Sequence, residues 1–422
     1  MKNRNKYVLV LMTLILATSV GCSGGDTLRI EVSPVKMDCK DIPVHTDIAL
    51  TGELANVPAG RIKVELRQSG SGTIVPGQIV IGSEKKPQLW WVIPQLKAGQ
   101  STKWVATLTP GKEATDNTFA WQDKKENYLD LLFNDKKVMR YMYAYDTSSK
   151  QRRLETCKVF HHFFDAQGKN LITNGPDGVN AYGDKILYPH HRGLFIGWNK
   201  LEFMGKKYDL WHMGGGESQR HQKVLQQIAG PVLARLETLI HWNNKDNTTI
   251  VSERRQITAY RQNDPAIVLL DFHVELKGVG GEVYLNGDSE HGGCQYRPHN
   301  DVATGMGRSD KKGTAAYLFH RADIDPKKDK DLPWVALSYP LNNRRYNVQH
   351  LNHPGNPTPT VYSAYRGYGR FGTFFKKKIP AGETLMLNYR ILVTESEMPD
   401  REAFTARYET FANAPKAKVS SF

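Results

Sequence analysis

Cysteine is scarce in this sequence, with four residues spread over 422 positions: Cys22, Cys39, Cys157 and Cys294. No CxxC or other close pair occurs, which argues against a thiolate metal site, and the wide spacing excludes a disulfide-rich scaffold. Long apolar runs are scarce as well. After the first 21 residues no stretch reaches the roughly 18 apolar residues that a membrane-spanning helix needs, so a multi-span membrane protein is excluded.

Helix signals are nearly absent, and so are the motifs of several enzyme classes. The sequence has no phosphate-binding loop, dinucleotide fingerprint, GxSxG elbow or HExxH pair. No repeat of about 20–50 residues indicates a propeller or solenoid. The net charge of +14 would suit nucleic acid, but no nucleic-acid-binding motif accompanies it. We therefore expect no nucleic-acid partner.

The N-terminus carries an export signal. A basic start precedes an apolar stretch from Val8 to Ala17 and a small-residue site, Ser19-Val20-Gly21-Cys22. This order is typical of a secretory leader, and a cysteine at that point resembles a bacterial lipobox. We expect residues 1–21 to be removed, Cys22 to be lipidated and residues 22–26 to form a tether. The predicted location is the bacterial cell envelope, on its periplasmic face or outer surface, with the lipid anchor as the only membrane contact.

Residues 27–112 are predicted to form a small immunoglobulin-like β-sandwich. Residues 28–32 and 62–67 alternate apolar and charged side chains, as half-buried strands do. Gly and Pro interrupt the pattern about every ten residues, which favours short strands. We expect the tryptophans of this region to fill its core, with a sugar-stacking platform as the alternative.

The next 283 residues, 113–395, contain strand after strand and are predicted to form one large antiparallel β-supersandwich. Asn134-Asp135 between two β-prone runs indicates a hairpin. In the strand at 267–276 one face is apolar, and the other carries Asp271, His273 and Glu275, which either meet solvent, our preference, or line a cleft. Residues 396–422 are predicted to form a helix and tail, with Met398-Pro399-Asp400 as the helix start.

The strongest functional signal is the distribution of histidine. Thirteen of the 14 histidines lie between His161 and His353. Several occur in loop-like segments beside Pro, Gly and charged residues, at 188–193, 209–212, 288–297 and 349–357. Because His, Arg and Glu are costly to bury singly, we expect the first, third and fourth of these segments to converge on one polar pocket.

These segments carry a resemblance to a known family. HHRGL at 190–194, DLWH at 209–212, the Gly-Gly…Arg at 292–297 and HPGNPTP at 353–359 resemble the PmoA-like bacterial domain of unknown function, sometimes labelled "methane oxygenase PmoA". The resemblance covers about residues 125–395. It implies an exported, galactose-mutarotase-like supersandwich of the kind met in polysaccharide-degrading bacteria, and such enzymes use His together with Glu. It supplies no established reaction.

The residue types suit acid–base chemistry on a sugar. Histidine exchanges a proton near neutral pH and glutamate acts as base or nucleophile. The predicted catalytic residues are Glu290, His191 and His291. The predicted substrate-binding residues are arginines that hold sugar oxygens, a tryptophan that stacks on a ring, and neighbouring polar side chains: His190, Arg192, Trp211, His212, Arg297, His353 and Asn356. Cys294 is expected to be a buried small residue without a catalytic role.

The sequence thus predicts an exported lipoprotein that is a glycoside hydrolase or lyase, with an oligosaccharide or polysaccharide as its substrate. The first alternative is a non-catalytic glycan-binding lipoprotein. The second is a metalloenzyme with histidine ligands, but no HxH or HExxH spacing fixes a metal geometry, so we predict no specific metal ligands and leave a divalent metal as an option.

Overall fold

The computed structural model describes residues 26–82, 85–111, 116–180, 182, 186–304 and 315–420. The predicted leader and the predicted lipidation site, Cys22, lie outside these residues. Within them the protein is all-β, with three short α-helices, as the sequence predicts. No helix in this described part is long and apolar enough to cross a membrane.

The first six strands form their own sheet around their own core. Their inward side chains alternate with exposed ones, as in β3, so the period-two pattern seen in the sequence is confirmed. Trp91 and Trp104 are fully buried in this core and provide no sugar platform. The strands are β1 (Asp26–Val32), β2 (Cys39–Asp47), β3 (Ile62–Gln68), β4 (Ile74–Ile81), β5 (Pro87–Leu96) and β6 (Thr102–Pro110).

The second sheet starts with a meander and continues through two long loops. Asn134 and Asp135 both have positive φ at the turn between β8 and β9, which confirms the predicted hairpin. The elements are β7 (Phe119–Lys124), β8 (Tyr128–Phe133), β9 (Lys136–Met142), α1 (Lys150–Thr156), β10 (Phe160–Phe163), β11 (Leu194–Trp198), β12 (Leu201–Phe203) and β13 (Lys206–Tyr208).

Long regular strands follow and form most of the third sheet. The elements are β14 (Ser218–Ile228), β15 (Leu233–Asn243), β16 (Thr249–Tyr260), β17 (Ala266–Gly278), β18 (Val283–Leu285), β19 (Gly292–Tyr296), α2 (Asp301–Thr304), β20 (Ala316–Phe319), β21 (Trp334–Leu341), β22 (Arg344–Asn352), β23 (Val361–Tyr362), β24 (Phe371–Phe374), β25 (Lys377–Ile379) and β26 (Thr384–Glu395).

The order of these strands defines two large sheets of eight strands each. One runs β23-β24-β19-β11-β10-β9-β8-β7, and the other β14-β15-β16-β17-β26-β22-β21-β20, while a small sheet runs β13-β12-β18-β25. One apolar cluster holds buried residues of both large sheets, including Tyr141 and Ile196 from the first and Leu236 and Phe272 from the second. The two sheets therefore pack face to face around a shared core.

The last helix and strand return to the first sheet. Helix α3 (Arg401–Ala412) begins after Asp400, whose carboxylate accepts from the backbone N–H of Ala403 at 2.7 Å. This confirms the predicted C-terminal helix. Strand β27 (Ala417–Ser420) then pairs antiparallel with β1, so the first sheet runs β2-β5-β4-β3-β6-β1-β27. Strand β27, in the region predicted to be a tail, thus forms one edge of this sheet.

The first sheet also packs against the large β-domain. The side-chain oxygen of Gln78 accepts from the backbone N–H groups of Val232 and Leu233, at 3.0 and 2.9 Å. Trp90 stacks on Tyr260 with a centroid separation of 5.9 Å. This contact places the first sheet beside the outer face of the long-stranded sheet.

Candidate functional site

A cleft of about 760 Å³ lies beside Glu290. Its walls come from the loop before β19, from the loop that precedes β21, and from the segment between β23 and β24. We call it the Glu290 cleft. The described lining residues are Ser289, Glu290, Ala315, Tyr317, Pro326, Lys327, Val361, Tyr365, Arg366 and Gly367.

Glu290 is held by two neighbours from the segment between β23 and β24. The Tyr365 hydroxyl donates to its Oε1 at 2.8 Å, and Nη2 of Arg366 lies 2.5 Å from its Oε2. Partial burial acts to raise the pKa of Glu290, but the Tyr365 hydrogen bond and the charge of Arg366 outweigh it, so the pKa is lowered. The carboxylate is therefore ionised at neutral pH and suits a base more than an acid.

His291 and His212 are built alike. Nδ1 of His291 lies 2.7 Å from Oδ1 of Asp288, and Nδ1 of His212 lies 2.8 Å from Oδ2 of Asp209. Both imidazoles are 35 % exposed, and their ring centroids are 5.1 Å apart. A carboxylate beside Nδ1 favours the tautomer with its proton there, which leaves Nε2 as the atom that exchanges a proton.

His190 extends the same row of rings. Its centroid lies 4.4 Å from that of His212, and the two side chains line a second cavity of about 320 Å³. Burial, followed by the charge of Lys158, lowers the pKa of His190 to about 2, so this ring is neutral at physiological pH. We call His190, His212 and His291, with Asp209 and Asp288, the His291 cluster. Two of its members, His190 and His212, line the second cavity, and His291 follows Glu290 in the chain.

His191 is buried beside this cluster, with its ring centroid 4.2 Å from that of His190. Its ring is 3 % exposed and stacks parallel to Tyr368, and neither ring nitrogen has a hydrogen-bond partner among the described residues. Burial lowers the pKa of His191 well below its usual value, so the imidazole stays neutral. Of the two adjacent histidines, His190 is the one that lines a cavity, whereas the predicted catalytic residue His191 is buried.

Three predicted substrate-binding residues are buried. Arg192 donates to the backbone carbonyls of Glu155 at 2.9 Å, of Leu154 and of Pro189, and so closes the last turn of α1. Arg297 donates to the carbonyl of Tyr368 at 2.6 Å. Trp211 is fully buried, as is Trp198. None of these three side chains lines the Glu290 cleft, and the arginines bind backbone carbonyls instead.

The predicted His353–Asn356 loop does not join the cluster. His353 packs its ring edge-on against Phe411 of α3, and Asn356 is buried and donates to the carbonyl of Asn388 at 2.7 Å. Both contacts belong to the end of the long-stranded sheet. The expectation that three segments share one pocket is therefore wrong for this loop, whose asparagine satisfies the backbone of β26.

The polar face of β17 lines a separate groove of about 380 Å³. His273 Nδ1 lies 2.7 Å from Oδ1 of Asn388, and its Nε2 lies 3.4 Å from Oε1 of Glu275. Trp90 of the first sheet and Phe411 of α3 form two of its walls. We call this the outer-sheet groove. Asp271, His273 and Glu275 therefore line a cleft. Of the two environments predicted for them, solvent and a cleft, this is the less favoured one.

The Gly-Gly pair at 292–293 allows strand β19 to lie close to its neighbour β24. Gly293 has φ +83°, and a Cβ there would stand 1.7 Å from the carbonyl oxygen of Thr373. The close approach that glycine permits is thus to the neighbouring strand β24 and not to a ligand. Cys294 is fully buried beside it, and burial raises the pKa of its thiol, which fits the predicted inert residue. Cys39, Cys157 and Cys294 are all free.

Sequence reasoning missed Tyr365, Arg366 and Lys327. The first two lie in the run Tyr365-Arg366-Gly367-Tyr368-Gly369-Arg370, where aromatic, basic and glycine residues alternate, and that composition was the available signal.

Among the described residues, no group of three or more His, Cys, Asp or Glu side chains is arranged to hold a metal ion. The chemistry of the site is thus built from one carboxylate, two carboxylate-anchored imidazoles, a phenol and two cations.

These features define an all-β protein with a polar cleft at one edge of a two-sheet domain. The chain belongs to a family of unknown function (DUF6807), whose model matches residues 128–409. That range largely coincides with the region of the resemblance noted in the sequence. None of the curated proteins matches this chain.

Two solved structures are similar to the chain. One is a heparan sulfate lyase HepC mutant from Pedobacter heparinus, with 11% identity and a TM-score of 0.33, over 69% of this chain and 38% of that one. The other is heparinase III, with 11% identity and a TM-score of 0.30, over 72% of this chain and 39% of that one. The chain thus aligns with well under half of either protein.

Proposed function

We propose that this chain is a carbohydrate-active enzyme, a glycoside hydrolase or polysaccharide lyase, that binds an oligosaccharide in the Glu290 cleft. The observation that supports this most is an ionised carboxylate, Glu290, that lines a 760 Å³ cleft together with the Tyr365 hydroxyl that donates to it, while the carboxylate-anchored imidazole of His291 is next to Glu290 in the chain. A base and a proton donor placed beside one cavity are the elements of general acid–base catalysis.

Of the two reactions, the cleft favours elimination. Hydrolysis of a glycosidic bond commonly uses two carboxyl groups on opposite sides of the bond, and Glu290 is the only carboxylate among the described residues of the lining. Arg366 and Lys327 add two positive charges to the same walls. Cations of this kind neutralise the carboxylate of an acidic sugar and make the neighbouring C–H proton more acidic. We therefore propose a uronic-acid-containing chain as the preferred substrate.

The proposed elimination is balanced as follows. A base, His291 Nε2 or Glu290, accepts the proton from C5 of the uronate, and the electron pair forms a C4=C5 double bond as the C4–O4 bond breaks. Tyr365 donates its hydroxyl proton to the departing O4 oxygen. Tyr365 already lies 2.8 Å from Glu290, so the phenol and the carboxylate act as one hydrogen-bonded unit.

The alternative function is glycan binding without turnover. Tyr317 and Tyr365 line the cleft and offer aromatic surface to a sugar ring. A binding protein would retain affinity but leave the mass and ultraviolet spectrum of the glycan unchanged. A histidine-ligated metalloenzyme is a third and lesser alternative, for which the test is activity before and after chelation.

The test is to incubate the domain, residues 26–422, with neutral, uronic and sulfated oligosaccharides and to follow mass and ultraviolet absorbance. Elimination yields an unsaturated product without added water, whereas hydrolysis adds one water per bond broken. Unchanged glycans that still bind would assign the chain to the binding class. Unchanged glycans without binding would overturn the carbohydrate proposal.

The cellular setting belongs to the same proposal. We propose that Cys22 is lipidated and that the protein is held at the cell envelope, and that the PmoA-like resemblance marks a galactose-mutarotase-like supersandwich. The full chain and its Cys22→Ala variant are to be compared by membrane fractionation. We expect the parent in the membrane fraction and the variant in the soluble fraction. Equal release of both would contradict lipidation.

A further inference from the structure

Lys158 is a buried cation that the proposed chemistry does not use. It lies between α1 and β10 and is 2 % exposed. A buried ammonium group carries a desolvation cost of several kcal/mol. Residues retained at such a cost usually have a specific partner, so the contacts of Lys158 decide what it does.

Those contacts are with the two segments that carry the His291 cluster. Nζ donates to the backbone carbonyl of His190 at 3.2 Å and to the backbone carbonyl of Trp211. His190 is itself a member of the cluster, and Trp211 directly precedes His212. The Lys158 side chain therefore joins two segments whose carbonyls, those of His190 and Trp211, are 21 residues apart in the chain. These segments carry the rings of His190 and His212, whose centroids are 4.4 Å apart.

The surroundings of the ammonium group are apolar. Nζ lies 5.0 Å from the centre of the Phe195 ring and 5.8 Å from that of Trp211, so both rings are placed to stabilise the cation. The charged groups that face it are Arg192, which disfavours the cation, and Asp209, which favours it. No carboxylate among the described residues accepts a hydrogen bond from it. The two carbonyls are its directional partners.

We infer that Lys158 is a positioning residue: by donating to the carbonyls of His190 and Trp211 it fixes the spacing of the His190 and His212 rings at the candidate site. The inference rests on the proposed function only in giving that spacing a catalytic purpose. The spacing itself is a property of the chain without any substrate.

The experiment is imidazole nitrogen NMR on histidine-labelled Lys158→Met protein. Methionine preserves the length and apolar body of the side chain and removes the donors. We expect the ring signals of His190 and His212 to shift, while those of His45 on β2 and His241 on β15 stay in place. Lys137→Met is the matched control, since Nζ of Lys137 also lies near an aromatic ring, Phe164 at 5.6 Å, but outside the cluster.

Lys158→Gln separates donation from charge, because its amide donates two hydrogen bonds without a positive charge. We expect it to restore the His190 and His212 signals in part, and it also serves if the methionine variant does not fold. A folded Lys158→Met protein with unchanged His190 and His212 signals would overturn the inference. Shifted signals in a protein that acts on no glycan would support positioning and contradict only the proposed function.

Discussion

The His291 cluster and the outer-sheet groove both contain a histidine held by a carboxylate, yet they are built in different ways. In the groove, Gln256, His273 and Asn388 are direct cross-strand neighbours on three adjacent strands. In the cluster, His190, His212 and His291 come from three loops. Side chains on a regular sheet face are paired by the register itself, whereas loop side chains meet only because the strands below bring them together.

The two regions also differ in how their imidazole nitrogens are held. His273 has partners at both ring nitrogens, so the sheet face satisfies it. In His291 and His212, Nδ1 is held by the carboxylates of Asp288 and Asp209. Nε2 is the remaining nitrogen of a partly exposed ring. An imidazole with one anchored and one available nitrogen is suited to proton transfer, and one that is held at both is suited to structure.

The largest expected effect tests the strand below the cluster. Gly293→Ala places a methyl group against the carbonyl of Thr373, and we expect it to lower the free energy of unfolding by about 4 kcal/mol or more. Gly280→Ala is the matched control, because it has the same φ of +83° but open space around its Cβ. It should cost only about 1 kcal/mol. Urea denaturation measures both, and equal losses would mean that backbone strain alone matters.

The second prediction sets the two regions directly against each other. Glu290→Gln removes the charge held by Tyr365 and Arg366 and should lower turnover of the preferred glycan about 100-fold or more. Glu275→Gln removes a carboxylate from the outer-sheet groove and should leave turnover within about twofold. Steady-state kinetics of the two variants decide the matter. A large loss in the Glu275 variant would move the active site to the groove.

The third prediction concerns pH and Lys158. Burial lowers the pKa of Lys158 to about 7 in the folded protein, against 10.5 for an ordinary lysine. Between these values the unfolded chain binds more protons, so the contribution of Lys158 to the free energy of unfolding rises with pH and is least below pH 7. We expect the stability of the parent relative to Lys158→Met to increase from pH 7 to 10, by on the order of 1–3 kcal/mol. A constant difference would place the folded pKa of Lys158 near its ordinary value.

The smallest expected effect concerns Cys294, one residue from Gly293. Its thiol is fully buried, and burial raises its pKa, so the reactive thiolate is not formed at neutral pH. Cys294→Ala should leave turnover within about threefold, with a stability loss of about 1 kcal/mol for the small cavity. Complete loss of turnover in a folded variant would contradict the assignment of Cys294 to the core.

The sequence predicted the elements of the fold better than their contacts. Period-two alternation and turn residues were enough to place most strands, the Asn134-Asp135 hairpin and the start of α3, since these depend on local chemistry. The pairing of β1 with β27 was out of reach, because Arg29 and Ser420 are neighbours only in the folded chain. No local pattern records such a pair.

The candidate site shows the same division. The presence of Glu290, His291 and His212 at the candidate site was predictable from motif composition. The occupation of Arg192 and Arg297 by backbone carbonyls was not, because it depends on where a helix end and a distant loop arrive. Tyr365 was missed for a related reason: it reaches Glu290 from 75 residues further along the chain.

The strand β27 has a consequence for the order in which the protein folds during synthesis. Residues 26–110 are synthesised long before residues 417–420, yet their sheet lacks its edge strand until those last residues are made, and Ala406 of α3 is also part of its core. The N-terminal sheet therefore waits with an open edge while the whole large β-domain is synthesised. A chain that stops before α3 would leave that edge uncovered, and an exposed edge invites pairing with other chains.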